Sequence, residues 1–309
     1  MAERRWAAAV VDQAVPVVDR GAVRARGFRV VLDACAGAGA LPAVPLLEAL
    51  GVDVHGLHLE PTGRFPRDPE PTAANLSELA AAVRESRADL GLAIDPDGDR
   101  LALVDERGEP VGEDLTLALA VDHVLGESRG PVVTNLSTSQ VVERVAELHG
   151  VAVERTAVGE VNVATRMLEL GSPIGGEGNG GVIHPGIHHT RDAPVAIALL
   201  LSYLARTDRS LAEAVARFPG YAIRKAKIPL HSVDAGILLQ RAVEAFPEAE
   251  PDRTDGLRLA WPDLERWVHL RESGTEPVVR LIAEARNAET ADGLLDRLRE
   301  LAGTRPFST

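Results

Sequence analysis

The stretch G91-L-A-I-D-P-D-G-D-R-L-A-L-V104 sets three aspartates at alternate positions, Asp95, Asp97 and Asp99, between two apolar runs. Four apolar or small residues on either side read as buried strands, and Pro96 with Gly98 makes a tight turn between them. If the carboxylates converge to about 5 Å, each pair repels by about 3 kcal/mol at an effective dielectric of about 20. Either they splay into water or a cation holds them. Carboxylates are hard oxygen ligands suited to Mg²⁺ or Ca²⁺. An EF-hand competes with that reading, because Glu106 falls at the twelfth position of such a loop. It loses on two counts: the sixth position is Arg100 rather than Gly, and "RLALV" reads as a strand rather than a helix.

Outward from this loop the chain alternates strand and helix. "FRVVLDACAGAG" (28–39) reads as a buried strand entering a small-residue loop, "ALPAVPLLEALG" (40–51) as a helix, and "VDVHGLHLE" (52–60) as a strand. A proline-rich loop, "PTGRFPRDPEPT" (61–72), leads to a helix in "AANLSELAAAVRESR" (73–87). Residues 2–20 read as a further helix. Alternation of this kind implies βαβ units layered by helices. The order repeats over residues 131–183, where a helix and short strand precede a second glycine-rich loop, "GGEGNGG" (175–181). The matching places of the two loops, and of Gly51-Val52 and Gly150-Val151, indicate two related α/β domains. Past Pro219-Gly220 the pattern changes to strands about a loop and a final helix, a smaller α+β domain. The expected fold class is two related α/β/α domains with mixed sheets followed by a smaller α+β C-terminal domain. The expected boundaries are 1–125, 126–216 and 217–309.

Composition narrows the classes of function. Hydrophobic residues make up 45% of the 309 residues and aromatics 3%, so the cores are aliphatic. A net charge of −13 speaks against a general nucleic-acid binder, which needs basic stripes. No apolar run reaches the length of a membrane span. The single cysteine, Cys35, allows no intrachain disulfide and fits a reducing, cytoplasmic compartment.

Two further loops can carry chemistry. In "GGEGNGG" the glycines let backbone approach a ligand, and Glu177 and Asn179 offer acceptors and donors suited to sugar hydroxyls. The competing reading is a flexible hairpin. In "RESGTEPVVR" (271–280) Arg271, Ser273, Gly274, Thr275 and Arg280 gather N–H and O–H donors around an anion such as phosphate. There the competing reading is a capped, solvated turn. His184, His188 and His189 lack a thiol or a second histidine cluster, so zinc is disfavoured.

These three loops, in this order, resemble those of the alpha-D-phosphohexomutase family, and the resemblance covers nearly the whole chain. "DPDGDR" resembles its metal loop, "GGEGNGG" its sugar-recognition loop and "RESGTEP" with Arg280 its phosphate loop. "FRVVLDACAGAG", "TAVGEVNV" and "TRDA" are similar to supporting segments. The resemblance implies a Mg²⁺-dependent phosphomannomutase, phosphoglucomutase or phosphoglucosamine mutase that interconverts hexose 1- and 6-phosphates through a phosphoserine. It implies Asp95, Asp97 and Asp99 as metal ligands, with Arg100 beside the transferring phosphoryl group. Glu177 and Asn179 would hold the sugar, and the Arg271–Arg280 loop the phosphate that is not reacting. The family's phosphoserine loop, of the Thr-x-Ser-His-Asn-Pro kind, belongs to a first domain, and no Ser-His-Asn occurs in these 309 residues. The expectation is therefore domains two to four, with the first domain a partner in cis or in trans. Such a chain binds a hexose phosphate but lacks the nucleophile. The alternative is a stand-alone sugar-phosphate-binding or regulatory protein; a module with vestigial loops ranks below both. Many members end the sugar loop in Ser-Gly-His; here it ends Asn179-Gly180-Gly181, leaving His188, His189 and Arg191 as candidate acid/base groups.

Overall fold

The computed structural model describes residues 18–303. Most of the helix expected over residues 2–20 lies outside the described residues. A short helix, Arg20–Arg26, follows instead, started by the Asp19 side chain accepting from the Ala22 N–H and ended by left-handed Gly27. The chain divides into two compact units. One runs to Arg155 and resumes over Gly159–Phe218; the other comprises Thr156–Val158 and the chain from Pro219 onward.

The first unit holds two sheets of the same design. In one, strands β1 (Arg29–Asp33), β2 (Asp53–Leu57), β3 (Leu90–Ile94) and β4 (Leu101–Val104) lie in the order β2-β1-β3-β4. β1 runs parallel to β2 and β3, and β4 is antiparallel to β3. In the other, β5 (Val132–Asn135), β6 (Val153–Thr156), β7 (Ile174–Glu177) and β8 (Gly181–Ile183) take the order β6-β5-β7-β8, with β8 antiparallel to β7. The repeat read from the sequence is thus a repeat of topology. Every residue of β3 and β4 is buried, which explains their unbroken apolar runs. The helix Ser77–Ser86 packs Leu79, Ala80 and Val83 onto Val31, Ala93 and Ala102 of that sheet. Burial of a Leu or Val side chain among these contributes about 2 kcal/mol. The packing is close: a Cβ on Gly91 would come within 2.8 Å of Val83 Cγ2.

Two helices, Glu113–Leu125 and Ala193–Thr207, are buried over most of their length and pack against each other. They are joined by a polar knot. Tyr203 Oη donates to Asp122 Oδ2 at 2.7 Å, and Arg217 donates to the same oxygen at 2.9 Å. His149 Nε2 lies 2.7 Å from Asp122 Oδ1.

The second unit is an antiparallel sheet of β9 (Ala222–Pro229), β10 (Glu250–Asp252), β11 (Leu257–Trp261), β12 (Arg266–Glu272) and β13 (Val278–Ala285), ordered β10-β11-β12-β13-β9. Helices Ala235–Ala245 and Ala288–Leu301 contribute Leu238, Ala242, Leu295 and Leu298 to one core with Leu257, Val268, Leu270 and Leu281 of the sheet. Mixed α/β sheets followed by an antiparallel C-terminal sheet are the expected fold class.

Candidate functional site

In each sheet of the first unit the chain crosses from one side of the first strand to the other. That makes a topological switch point, and ligands of open α/β sheets gather there at the carboxyl ends of the strands. "DPDGDR" joins β3 to β4 and the turn of "GGEGNGG" joins β7 to β8, so both loops sit at that place in their sheets.

The aspartate loop is built against the loop that follows β1. Ala38 N–H donates to Pro96 O at 2.7 Å. A Cβ on Gly37 would meet Pro96 backbone at 2.4 Å, and one on Gly39 would meet Ile94 Cγ2 at 2.6 Å. The small residues of "CAGAG" are therefore a brace for the aspartate turn. Cys35 is buried there with a left-handed φ of 51°. Asp33, buried at the end of β1, accepts from the Cys35 N–H at 2.9 Å and from Arg67 Nε at 2.8 Å. Arg67 belongs to the proline-rich loop, whose role the sequence left unassigned.

Asp95, Asp97 and Asp99 each offer an oxygen, all within 4.8 Å of one another. Asp95 is 5% exposed, and its Oδ1 accepts from the N–H groups of Asp99 and Arg100, both at 3.0 Å. Burial, and then the adjoining Asp99 carboxyl, push its pKa up to about 7. Asp99 Oδ1 is buried with no hydrogen-bond partner. A destabilised carboxylate and an orphaned oxygen facing shared space fit a hard divalent cation. Arg100 Nε stands 3.6 Å from both Asp95 Oδ2 and Asp99 Oδ1, beyond hydrogen-bond distance.

The second loop is wired differently. Glu177, 4% exposed, is the last residue of β7. Its Oε1 accepts from Asn135 Nδ2 at 2.7 Å and Gly159 N–H at 3.1 Å, and its Oε2 accepts from Arg191. Asn135 ends β5, the neighbouring strand, and Gly159 lies in the "TAVGEVNV" segment. Asn179 Oδ1 accepts from the Gly181 N–H at 3.2 Å and so closes the turn. Gly178 has no room for a side chain, since a Cβ would fall 2.0 Å from Asp114 Oδ1.

Arg191 joins the two loops. One of its terminal nitrogens donates to Asp99 and the other to Glu177, while its own N–H donates to Glu160 Oε1 at 2.6 Å. The backbone just after it is pinned to β8 and to the aspartate loop: Asp192 N–H donates to Val182 O and Ala193 N–H to Gly98 O, each at 3.0 Å. The tip of the second loop also touches the first sheet, with Leu101 N–H donating to Gly180 O at 3.0 Å. Of the histidines near Arg191, His188 is turned to Asp192 Oδ2 at 2.9 Å, and that carboxylate raises its pKa. His184, one turn upstream, is pushed down to about 4 by burial and then by His123.

In the second unit Arg271 on β12 lies directly opposite Arg280 on β13, and Arg280 lies opposite Lys227 on β9. Like charges in register repel unless anions intervene. Asp255 takes Arg271 Nε at 2.8 Å, and Glu276 takes both Lys227 and Arg280, at 3.0 and 2.8 Å. Arg280 Nε reaches Ser273 Oγ at 3.3 Å, and Ser273 and Thr275 hydroxyls lie 3.5 Å apart. Gly274 is exposed at the tip between them. The loop is thus a hydroxyl-bearing turn that brings three cations into register against carboxylates, with Lys227 a member that its sequence context did not reveal.

Residues 8–108 match "Phosphoglucomutase/phosphomannomutase, alpha/beta/alpha domain II". Residues 112–221 match domain III of that family, and residues 239–301 match its C-terminal domain. The chain is 36% identical over 292 residues to a probable phosphoglucosamine mutase of Methanopyrus kandleri, covering 92% of this chain and 64% of that protein. It is 36% identical over 282 residues to the phosphoglucomutase/phosphomannomutase of Thermococcus kodakarensis, covering 90% of this chain and 61% of the relative. Its fold superposes with a TM-score of 0.79 on a phosphoglucomutase/phosphomannomutase family protein from Burkholderia thailandensis. That protein is 27% identical, with 94% of this chain and 64% of the other covered. The chain spans under two thirds of the length of each of these three proteins. Matched over most of its residues by three successive domains of one family, the chain belongs to the phosphoglucomutase/phosphomannomutase family.

Proposed function

We propose that this chain supplies the metal, sugar and phosphate sites of a phosphohexomutase, an intramolecular phosphotransferase interconverting hexose 1- and 6-phosphates. The observation that carries the reading is the cluster of Asp95, Asp97 and Asp99 at a switch point, with Asp99 Oδ1 orphaned and Asp95 raised to about 7. These three carboxylates would hold Mg²⁺, which supplies charge neutralisation for phosphoryl transfer. Arg100 sits beside them as a second cation for the transferring group. Glu177 and Asn179 select sugar hydroxyls, and Arg271, Ser273, Gly274, Thr275 and Arg280 bind the phosphate that is not reacting. The phosphoserine is provided by a further domain, in cis or in trans. No helix among the described residues is long and apolar enough to cross a membrane.

The test is binding and turnover by these 309 residues. Calorimetry should show glucose 6-phosphate binding that depends on Mg²⁺, and weak uptake of Mg²⁺ alone. A coupled assay for conversion of glucose 1-phosphate to 6-phosphate should stay at background until a relative's phosphoserine-bearing domain is added. Conversion by the 309 residues alone would overturn the placing of the nucleophile elsewhere. Binding without turnover in either condition would favour a stand-alone sugar-phosphate-binding protein.

A further inference from the structure

Arg191 carries the inference. It is 13% exposed at its side chain and holds the metal loop and the sugar loop together through two carboxylates 78 positions apart in the chain (177 − 99). The two residues that follow it are tied to Val182 and to Gly98, which fixes its backbone, so any exchange of partners is made by the side chain. A guanidinium has separate nitrogens for separate carboxylates, and here both terminal nitrogens are used.

We propose that Arg191 is a resident cation that competes with the metal ion for Asp99, so that metal and sugar phosphate bind cooperatively. The proposal rests on reading the Asp95–Asp99 loop as the metal site. With neither ligand bound, Arg191 neutralises Asp99 and occupies Glu177 Oε2. A divalent ion entering among Asp95, Asp97 and Asp99 must displace Arg191 from Asp99 and sits close to a like charge. A sugar phosphate removes both obstacles. Its hydroxyls compete for Glu177 and loosen one of the two ties of Arg191, and a phosphoryl group bound at the metal end rather than in the Arg271–Arg280 loop offers Arg191 the paired acceptors that guanidinium favours. Glu160, whose Oε2 lies 3.9 Å from Arg191 Nε, offers a second resting place. Arg191 is then a positioning residue that couples two sites within one unit, and the coupling is reciprocal: whatever factor sugar phosphate adds to metal affinity, metal adds to sugar-phosphate affinity.

Any cation near the cluster weakens metal binding, so the experiment needs a control for charge alone. Arg100 is that control: its guanidinium stands beside Asp95 and Asp99, with Nε 3.6 Å from each, and hydrogen-bonds to neither. Mg²⁺ affinity is measured by calorimetry on the wild-type chain, Arg191→Met, Arg191→Lys and Arg100→Met, with and without glucose 6-phosphate. A thermal melt of each variant confirms folding. In wild type, glucose 6-phosphate should tighten Mg²⁺ binding about tenfold. Arg191→Met should bind Mg²⁺ alone about tenfold tighter than wild type and gain no further tightening from the sugar phosphate. Arg191→Lys, one ammonium that cannot span both carboxylates, should fall between them. Arg100→Met should keep the tightening by glucose 6-phosphate. Equal behaviour of Arg191→Met and Arg100→Met, with the tightening intact in both, overturns the proposal while leaving the metal site standing. A wild-type chain that takes up no Mg²⁺ at millimolar concentration overturns the metal site and this inference with it.

Discussion

The β3–β4 and β7–β8 loops occupy the same place in two sheets of the same order, yet they are opposites in electrostatic state. The first gathers three carboxylates and leaves one buried oxygen without a donor. The second has a single carboxylate, and Glu177 receives donors at both oxygens from a side-chain amide, a backbone N–H and a guanidinium. A duplicated topology thus supplies a position for chemistry, while the residues at the strand ends decide whether that position is short of positive charge or already satisfied.

The sharpest way to break this comparison is to remove charge from each loop and compare the signs. Glu177→Gln should destabilise the chain by about 3 kcal/mol, because Arg191 loses a buried partner. Urea unfolding in EDTA measures it, and a loss below about 1 kcal/mol would mean that the second loop is not satisfied in the sense described.

The next effect is on acid stability, and it lies on the β7–β8 side. His184 follows β8 directly, its Nδ1 is buried without a hydrogen-bond partner, and burial followed by His123 lowers its pKa to about 4. Above the unfolded value of about 6.5 the ring is neutral in both states and contributes nothing. As pH falls from there toward 4 the unfolded chain takes up a proton that the folded chain refuses. Stability is lost across that window, on the order of 2 kcal/mol by pH 5. His269 in the second unit is lowered to about 4 chiefly by burial and adds to the same limb. The difference between wild type and His184→Asn therefore isolates the first unit: the variant should lose less stability between pH 7 and 5, and parallel curves would refute the assignment.

How much of this was legible before the fold was known depends on the distance over which each feature is encoded. The three loops were readable because turn chemistry is local: Asp, Pro and Gly at alternate positions force a tight reversal wherever they occur. The matching strand order was readable as a repeated alternation. Two central helices, Glu113–Leu125 and Ala193–Thr207, were not singled out. "EDLTLALAVDHVL" is buried at ten of its thirteen residues, so no polar face produces a helical period. The helix Arg20–Arg26 had visible signals, Asp19 before it and Gly27 after it, but Asp19 was absorbed into a longer helix upstream. The link from Arg191 to Asp99 spans 92 positions, and that from Asn135 to Glu177 spans 42; no periodicity carries such pairings. Sequence reasoning named Arg191 as an acid/base stand-in, whereas its position makes it the tie between two loops.

A smaller effect of opposite sign tests the β3–β4 loop. Asp95→Asn retains an oxygen to accept from the Asp99 and Arg100 N–H groups but removes the buried charge. In EDTA at pH 8, where the carboxyl is ionised, this change should stabilise the chain by about 1 kcal/mol and at the same time weaken Mg²⁺ binding. Destabilisation in EDTA would mean that Arg100 and Arg191 already neutralise the cluster, and the contrast between the loops would disappear.

The smallest effect separates the two jobs of Asn179. Its Oδ1 closes the β7–β8 turn by accepting from Gly181, and a bond of that kind is worth about 1 kcal/mol. Its amide nitrogen is not part of that turn and is the donor proposed for a sugar hydroxyl. Asn179→Asp keeps an acceptor for the Gly181 N–H while replacing the donor by a second oxygen. Stability should then change by less than about 0.5 kcal/mol, while the Mg²⁺-dependent affinity for glucose 6-phosphate falls about tenfold, one lost hydrogen bond to the sugar. If affinity is unchanged while Asn179→Ala still loses stability, Asn179 serves the turn alone and the sugar contacts of this loop rest on Glu177.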